Sequence, residues 1–457
     1  MKKDYLKKMR NGEPLSLSNL LSMTIRLSVP TMLAQVSIIL MEYIDAAMVG
    51  RLGGNATAAI GLVSSTTWLM GGICHSSVSG FSVLASQHIG ANDESGARRI
   101  MKQAFIFALG ISAAVALAGS ALSGAIPVWL GGEKEILSDA SRYLLIIALT
   151  SPVYQFNSIC VAMLQASGNT KTPSVLETMI CILNVPFNYL FIFVLKMGVT
   201  GAALGTALAE AVMMLPFGYL LLVKSPVFRL RHGEKTEIRK KEVLHAFRIS
   251  LPLTFEQTVM CTAQIMSIKI VSPLGTEALA ANSLAVTAES LCYMPGYGIS
   301  SAAAAMIGQS IGAKRRELQT KLSYITVGFG MAVMGISGAF MYFAAPAVMK
   351  TLTPVAQIAS LGAAVLRIEA FAEPMFAASI VSSGVFRGAG DTLVPSIMNL
   401  VCMWAVRLPL SAFLAGGYGL RGVWTAMCIE LCVRGSAFLI RLIVKNIKLR
   451  REHYERV

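Results

Sequence analysis

Twelve apolar stretches, each about 20 residues long and set apart by short polar or basic breaks, govern what this chain can fold into. They lie near 25–49, 57–84, 101–126, 143–165, 174–196 and 199–223, then near 250–272, 279–307, 323–349, 361–384, 393–415 and 420–444. Lipid offers no partner to main-chain N–H and C=O groups, so a crossing segment must satisfy them within itself, as a helix. Composition points the same way: 14% of residues are charged, against about 25% in soluble domains. The sequence predicts an all-α integral membrane protein of twelve transmembrane helices. Residues 1–20 are polar and basic and show no cleavable signal peptide, so a short cytosolic helix is expected to lead into the first span.

A net charge of +15 is compatible with a nucleic-acid partner, but the basic residues sit in the breaks between spans, as cytoplasmic loops do. With both termini in the cytoplasm, inside segments hold roughly 29 Lys and Arg and outside segments roughly 7. The inside set includes Lys2, Lys3, Lys7, Lys8, Arg10, Arg98, Arg99, Lys314, Arg315 and Arg316, with Lys445, Lys448, Arg450 and Arg451 in the tail. The expected partner is the lipid bilayer of the cell membrane, not nucleic acid, and the expected state is a monomer. All eight cysteines fall inside apolar runs without zinc spacing, and Cys428 with Cys432 reads as a helix-packing pair. No disulfide, metal or resident cofactor is expected.

A shift of 222 residues superposes the two halves without a gap. Arg26-Leu27-Ser28-Val29-Pro30 meets Arg248-Ile249-Ser250-Leu251-Pro252, and Gln87-His88-Ile89-Gly90-Ala91 meets Gln309-Ser310-Ile311-Gly312-Ala313. Pro152 meets Pro374, and Gly168-Asn169-Thr170 with Pro173 meets Gly390-Asp391-Thr392 with Pro395. The chain is therefore a tandem duplication of six helices: an N-terminal lobe over 1–223, a cytoplasmic connection over 224–249, a C-terminal lobe over 250–444 and a basic tail over 445–457. An even number of spans per half makes the repeats parallel, an arrangement that transporters use to rock two halves about a central substrate. No phosphate-binding Walker loop is present to couple the process to ATP.

Asp45 stands deep in the first span, about 22 Å along a helix from Pro30. A carboxylate there costs on the order of 3 kcal/mol on insertion scales, which favours a functional role over one snorkelling to the interface beside Arg51. Glu42, three residues earlier on the same face, reads either as a like-charged neighbour or as a cavity wall. Asn184-Val185-Pro186-Phe187-Asn188 puts two amides on one face of the fifth span, with Pro186 freeing a carbonyl and kinking the helix. The amides suit either an oxygen-rich cation or proton site or ordinary helix–helix hydrogen bonding. The 25 methionines fit a cavity that repacks around varied lipophilic guests, and equally fit plain packing. His75 reads as a packed polar residue rather than a relay.

Taken together, Pro30 with Asp45-Ala46-Ala47-Met48-Val49-Gly50, and Arg387 followed by Gly388-Ala389-Gly390-Asp391-Thr392, resemble motifs of the MATE (multidrug and toxic compound extrusion) family, and the likeness extends over essentially the whole chain. The resemblance implies two six-helix lobes exporting organic cations in exchange for protons or sodium ions. It also implies an N-lobe coupling site at Asp45, Asn184, Asn188 and Thr206, with Pro30 and Pro186 as hinges. Some members have an aspartate where this chain has Asn188, which shifts the balance toward protons. In the C-terminal half the acids depart from the family pattern. Met260 stands where some members carry an acid, Glu256 lies one turn earlier, Glu289 is displaced by about a turn, and Glu369 and Glu373 lie on the tenth span. Glu256 and Glu289, with Gln35, Glu42 and Met260, are candidates for substrate binding or, for the acids, structural pairing. Glu430 and Arg434, four apart, read as a salt bridge, and Arg407 awaits a partner among Glu369, Glu373 and Glu256.

Two other readings compete with a multidrug antiporter. A lipid-linked oligosaccharide flippase of the same superfamily would want a cationic cavity, for which Lys269, Arg407 and Arg434 are the candidates. A membrane-embedded enzyme finds no metal signature or nucleophile motif in the sequence.

Overall fold

The computed structural model describes residues 5–231, 234 and 237–454, with main chain alone at 450 and 452–454. Lys2 and Lys3, the side chain of Arg450 and parts of the connection and tail lie outside the described residues. Helices account for every regular element described. The first half comprises α1 (Tyr5–Arg10), α2 (Leu17–Gly50), α3 (Gly54–Gly90), α4 (Glu94–Leu122), α5 (Ala125–Trp129), α6 (Lys134–Ala166), α7 (Lys171–Tyr189) and α8 (Gly198–Tyr219). The second comprises α9 (Lys240–Val271), α10 (Thr276–Gly312), α11 (Arg316–Leu352), α12 (Ala356–Glu369), α13 (Glu373–Gly388), α14 (Leu393–Val401) and α15 (Leu408–Tyr454). π-Helical turns extend α7 over Leu190–Val194 and α8 over Leu220–Lys224, and join α14 to α15 over Cys402–Arg407. α15 is two helices meeting at Gly419, whose φ of 57° breaks the helical path and separates the eleventh span from the twelfth. Seven of the spans satisfy the length and apolarity of a membrane crossing on their own.

The duplication is written into the backbone. Shifted by 222 residues, Gly54–Gly90 falls on Thr276–Gly312, and the first residues of α4, α6 and α7 fall on those of α11, α12 and α14. Left-handed residues recur in the same register, Asn92 (φ 58°) with Lys314 (φ 56°) and Gly168 (φ 87°) with Gly390 (φ 76°). The copies differ at their matched prolines. Pro152 lies inside a continuous α6, whereas the tenth span, expected as one run, is interrupted at Ala370–Ala372 ahead of Pro374. With no N–H to donate, Pro374 sits in the first turn of α13, where that donor is not needed.

The partition expected at 223 and 250 does not coincide with the packing. Contacts group Val36–Gln257 into one unit and Met1–Gln35 with Thr258–Val457 into another, dividing α2 and α9 within their lengths. Side chains explain both cuts. In the 36–257 unit the connection is pinned to α4: Arg98 donates to both oxygens of Glu234 and to the Val227 carbonyl, and Arg99 pairs with Glu242 at 2.7 Å. The start of α9 is then held on α3, where Ser250 accepts from the Gly80 amide, donates to the Ser77 carbonyl and lies one turn from Thr254, which bonds Ser76 at 2.7 Å. In the other unit the start of α2 is held on α10. Thr31 donates to the Gly298 carbonyl, and a Cβ at Gly298 would stand 2.6 Å from the Met32 nitrogen. Residues 76 and 254 are the repeat partners of 298 and 32, so each unit contains the entry half of the other repeat's first helix.

The Asp391 motif has a structural task in this second unit. Its carboxylate joins the turn before α14 to the last helix, accepting from Arg441 at 2.6 Å and from Lys445 at 2.7 Å. Burial by itself would raise the Asp391 carboxyl, but the Lys445 ammonium and the Arg441 guanidinium outweigh it and hold the group below the usual carboxylate range. A depressed folded value means that the stabilisation is fully present above the unfolded pKa of about 3.9 and is lost as pH falls through the lower, folded one. Asp391→Asn should cost about 1 kcal/mol, discounted for the partly exposed pair, and lower the Tm in detergent by about 2 °C near neutrality. The gap to the parent should be constant from neutral to weakly acidic pH and close in acid. A gap that widened in acid would show that the carboxylate is not the stabilising species.

Candidate functional site

Helix spacing assembles a polar column inside the 36–257 unit. On α7, Asn184 and Asn188 are one turn apart and both fully buried. The Asn188 amide nitrogen spends both of its protons, one on Asp45 Oδ1 at 2.7 Å and the other on Asn184 Oδ1 at 2.9 Å. Asn184 in turn donates to the Thr206 hydroxyl of α8 at 3.0 Å, and Thr206 donates to the Ala202 carbonyl at 3.1 Å. Donation runs both ways from Asn188, to Asp45 on one side and through Asn184 and Thr206 to the Ala202 carbonyl on the other. The Asn188 oxygen is left buried without a partner, turned against Gly205 of α8. α7 continues as a helix through Pro186, and the irregularity expected there appears as the π turn that follows, at Leu190–Val194.

The four residues of the expected coupling site are thus joined in one hydrogen-bonded series. Glu42 is exposed, one turn from Asp45 and within electrostatic reach of it, and the Tyr143 ring of α6 lies within reach of both acids. Pro30 and Gln35 are on the part of α2 that belongs to the other unit, with α2 continuous through Pro30. Glu256 is half-buried on α9, and Met260 packs with Ala263, Met403 and Leu408.

The second unit has an acidic cluster of its own. Glu289 on α10, Glu369 at the end of α12 and Glu373 at the start of α13 are 6%, 1% and 1% exposed. The Arg407 guanidinium bears on Glu289 and Glu369 and touches the Met427 sulfur. Glu430 and Arg434 form the expected pair at 3.0 Å, with Arg434 stacked over Phe376. Among the described residues no set of three or more His, Cys, Asp or Glu is placed to hold a metal ion.

Sequence reasoning missed two further acids in the 36–257 unit, Glu177 and Glu210. Glu210 Oε2 accepts from the Asn157 amide of α6 at 2.6 Å, and Glu177 of α7 lies within electrostatic reach of Glu210. Their signal was helical spacing: Glu177 is seven residues before Asn184 and Glu210 four after Thr206, on the faces that already carry the column.

A family model described as MatE matches residues 30–190 and 252–413, which are the two halves of the duplication. The chain belongs to the MatE family. As a MatE-family chain it is a multi-pass membrane transporter and not an enzyme. It is similar to the probable multidrug resistance protein NorM of Thermotoga maritima, 27% identical over 91% of this chain and 90% of that protein. It is also similar to the multidrug resistance protein PmpM of Pseudomonas aeruginosa, 25% identical over 94% of each. Among solved structures, MATE in complex with MaL6 superposes with a TM-score of 0.92 at 20% identity, over 98% of this chain and all of that one. The outward-facing conformation of a multidrug resistance MATE family transporter gives 0.91 at 20% identity, over 99% of this chain and 100% of that one. The MatE fold of twelve helices in two six-helix repeats is therefore shared although four residues in five differ from those structures.

Within that fold Gly205 sets how closely α8 approaches the amides. A Cβ there would collide with the Asn188 side-chain oxygen and stand 2.8 and 3.0 Å from its main-chain N and Cα. Backbone cannot step aside as a side-chain end can, so Gly205→Ala should destabilise by about 1–3 kcal/mol and separate Asn184 from Thr206. Gly110 of α4 has open space around its Cβ position, so Gly110→Ala should leave the Tm unchanged or slightly raised. Thermal unfolding of both variants in one detergent checks the contrast, and equal losses would remove the close approach as the cause.

Proposed function

We propose that this chain is a secondary-active multidrug efflux antiporter of the cell membrane that exports amphipathic organic cations in exchange for protons. The observation that carries this reading is the Asp45 carboxylate, set in a spanning helix and hydrogen-bonded by Asn188. An intramembrane acid with amide partners on a neighbouring helix has two arrangements: ionised and gripped by the donor, or protonated and released. That pair of states is what a coupling ion needs to bias. The names of the relatives supply the substrate class, and the parallel duplication supplies alternating access. Both termini face the cytoplasm, the working unit is a monomer and no cofactor takes part.

Protons fit this donor set better than sodium. A hard cation needs oxygen ligands, yet Asn188 presents its N–H groups to Asp45 and turns its oxygen toward Gly205. Sodium would require that buried amide to reverse. A proton requires only that Asp45 release one hydrogen bond. In the cycle, Asp45 takes up a proton from outside, α2 repacks about Pro30 and substrate affinity falls; return to the inward state releases the proton and resets the site. Cationic substrates are favoured over a pyrophosphate-linked lipid because Arg407 and Arg434 are already faced by Glu289, Glu369 and Glu430.

Asp45→Asn keeps the shape and removes the titration. In proteoliposomes loaded with a cationic dye, an imposed pH gradient should drive efflux in the parent and at least about tenfold less in the variant, the factor expected when about 1.4 kcal/mol of coupling is lost. A sodium gradient alone should drive little in either. Full pH-driven efflux by Asp45→Asn would falsify the mechanism.

A further inference from the structure

A second pair of acids lies in the same unit, further along the α7–α8 seam from Asp45. Glu210 is one turn beyond Thr206 on α8, and Glu177 is two turns before Asn184 on α7, so both continue the face that carries the column. Asn157 of α6, 3% exposed, grips Glu210 twice, donating to its carboxylate at 2.6 Å and its carbonyl at 2.9 Å. The other end of that amide, Asn157 Oδ1, is buried with no partner, and Glu177 makes no hydrogen bond within the described residues. A cluster with an idle acceptor beside two carboxylates lacks hydrogen, which is what a bound proton would supply.

The groups shown bearing on the pair bring no cation. The Tyr154 phenol of α6, bonded to Ser158, and the Cys181 thiol of α7 lie within electrostatic reach of both acids, with the Cys74 thiol of α3 bearing on Tyr154 and Asp45 of α2 bearing on Cys181 as a further acid. No Lys or Arg among the described residues bears on Glu177 or Glu210. Two half-buried carboxylates within electrostatic reach of one another repel, and a proton shared between them relieves that cost. In the second unit, by comparison, two guanidinium groups stand among four buried acids, Arg407 by Glu289 and Glu369 and Arg434 by Glu430, with Glu373 nearby.

We propose that Glu177 and Glu210 form a second proton-carrying site, distinct from Asp45, which holds one proton between the two carboxyl groups and gives it up in the transport cycle. The proposal rests on the proton-coupled reading of Asp45 and adds a second titrating centre to it. The transferred proton passes between a carboxyl oxygen and water, with no other bond made or broken. Two centres in one unit titrate as a coupled set, so substrate binding is expected to release more protons than Asp45 alone can supply.

The test uses the full-length protein in detergent with tetraphenylphosphonium as the cationic probe, in weakly buffered solution, and reads protons released per probe bound. Glu177→Gln with Glu210→Gln should reduce the release to about half, as should Asp45→Asn alone, and the three together should abolish it. Infrared difference spectra of the parent should show the carbonyl stretch of a protonated carboxylic acid that disappears in Glu210→Gln and survives in Asp45→Asn. That spectrum needs no transport activity, and thermal unfolding confirms that each isosteric variant is folded. Unchanged release in the Glu177→Gln, Glu210→Gln variant overturns the second site while leaving Asp45 coupling intact. No release in the parent overturns both.

Discussion

The two hydrogen bonds donated by the Asn188 amide hold the functional part of this protein together. Inside a bilayer a polar group cannot turn to water, so its partners must be supplied by neighbouring helices. One amide nitrogen here ties α2 to α7 through Asp45, and ties α7 to itself one turn back through Asn184. Asn184 passes the linkage on to α8. The helices that meet around Asp45 are thereby fixed by one directional series, and the charge state of one carboxylate sets whether its first bond is strong or weak.

That series needs helices packed closely enough to bond, and glycine provides the proximity at Gly205 as it does at Gly298 in the other unit. The remaining scaffold is held at the helix ends. Arg98 and Arg99 fasten the connection between the repeats onto α4, and Asp391 fastens the last helix. The Asp391 contacts are partly exposed and screened by water, whereas Arg98 is buried and, like the neutral amides, costly to leave without its partner.

Much of the fold was legible because membrane insertion imposes a simple rule. Apolar runs of spanning length gave the helices, and Gln87–Ala91 against Gln309–Ala313 gave the register to the residue. The exchange of entry halves was not legible: the contacts of Ser76 with Thr254 and of Gly298 with the Met32 main chain depend on tertiary packing that no local pattern announces. The break at Ala370–Ala372 ahead of Pro374 was hidden for a related reason, since Pro152, the repeat partner of Pro374, is absorbed by a continuous helix. Asp45, Asn184 and Asn188 stood out as polar groups in apolar surroundings. Glu177 and Glu210 meet the same criterion but lie outside the Asn184–Asn188 segment, and the packing of α7 on α8 is what brings them together.

Comparing equivalent positions in the two copies separates what the duplication kept from what it let go. The partners of Asp45, Asn184, Asn188 and Thr206 are Ser267, Val406, Leu410 and Cys428, and those of Glu177 and Glu210 are Asn399 and Cys432. None keeps the carboxylate, and the amide column has no counterpart. Conversely, Glu289, Glu369, Glu373, Arg407, Glu430 and Arg434 correspond to Thr67, Ile147, Ser151, Val185, Leu208 and Val212. The backbone was retained to the residue while the buried charges were redistributed. In the first copy Asp45 and Glu210 are met by neutral amide donors, and in the second two guanidinium groups stand among the four acids Glu289, Glu369, Glu373 and Glu430. A carboxylate balanced by a fixed cation has little reason to take up a proton; one balanced only by amides has every reason to do so. The proposed coupling acid Asp45 is thus particular to the first copy, its repeat partner being Ser267.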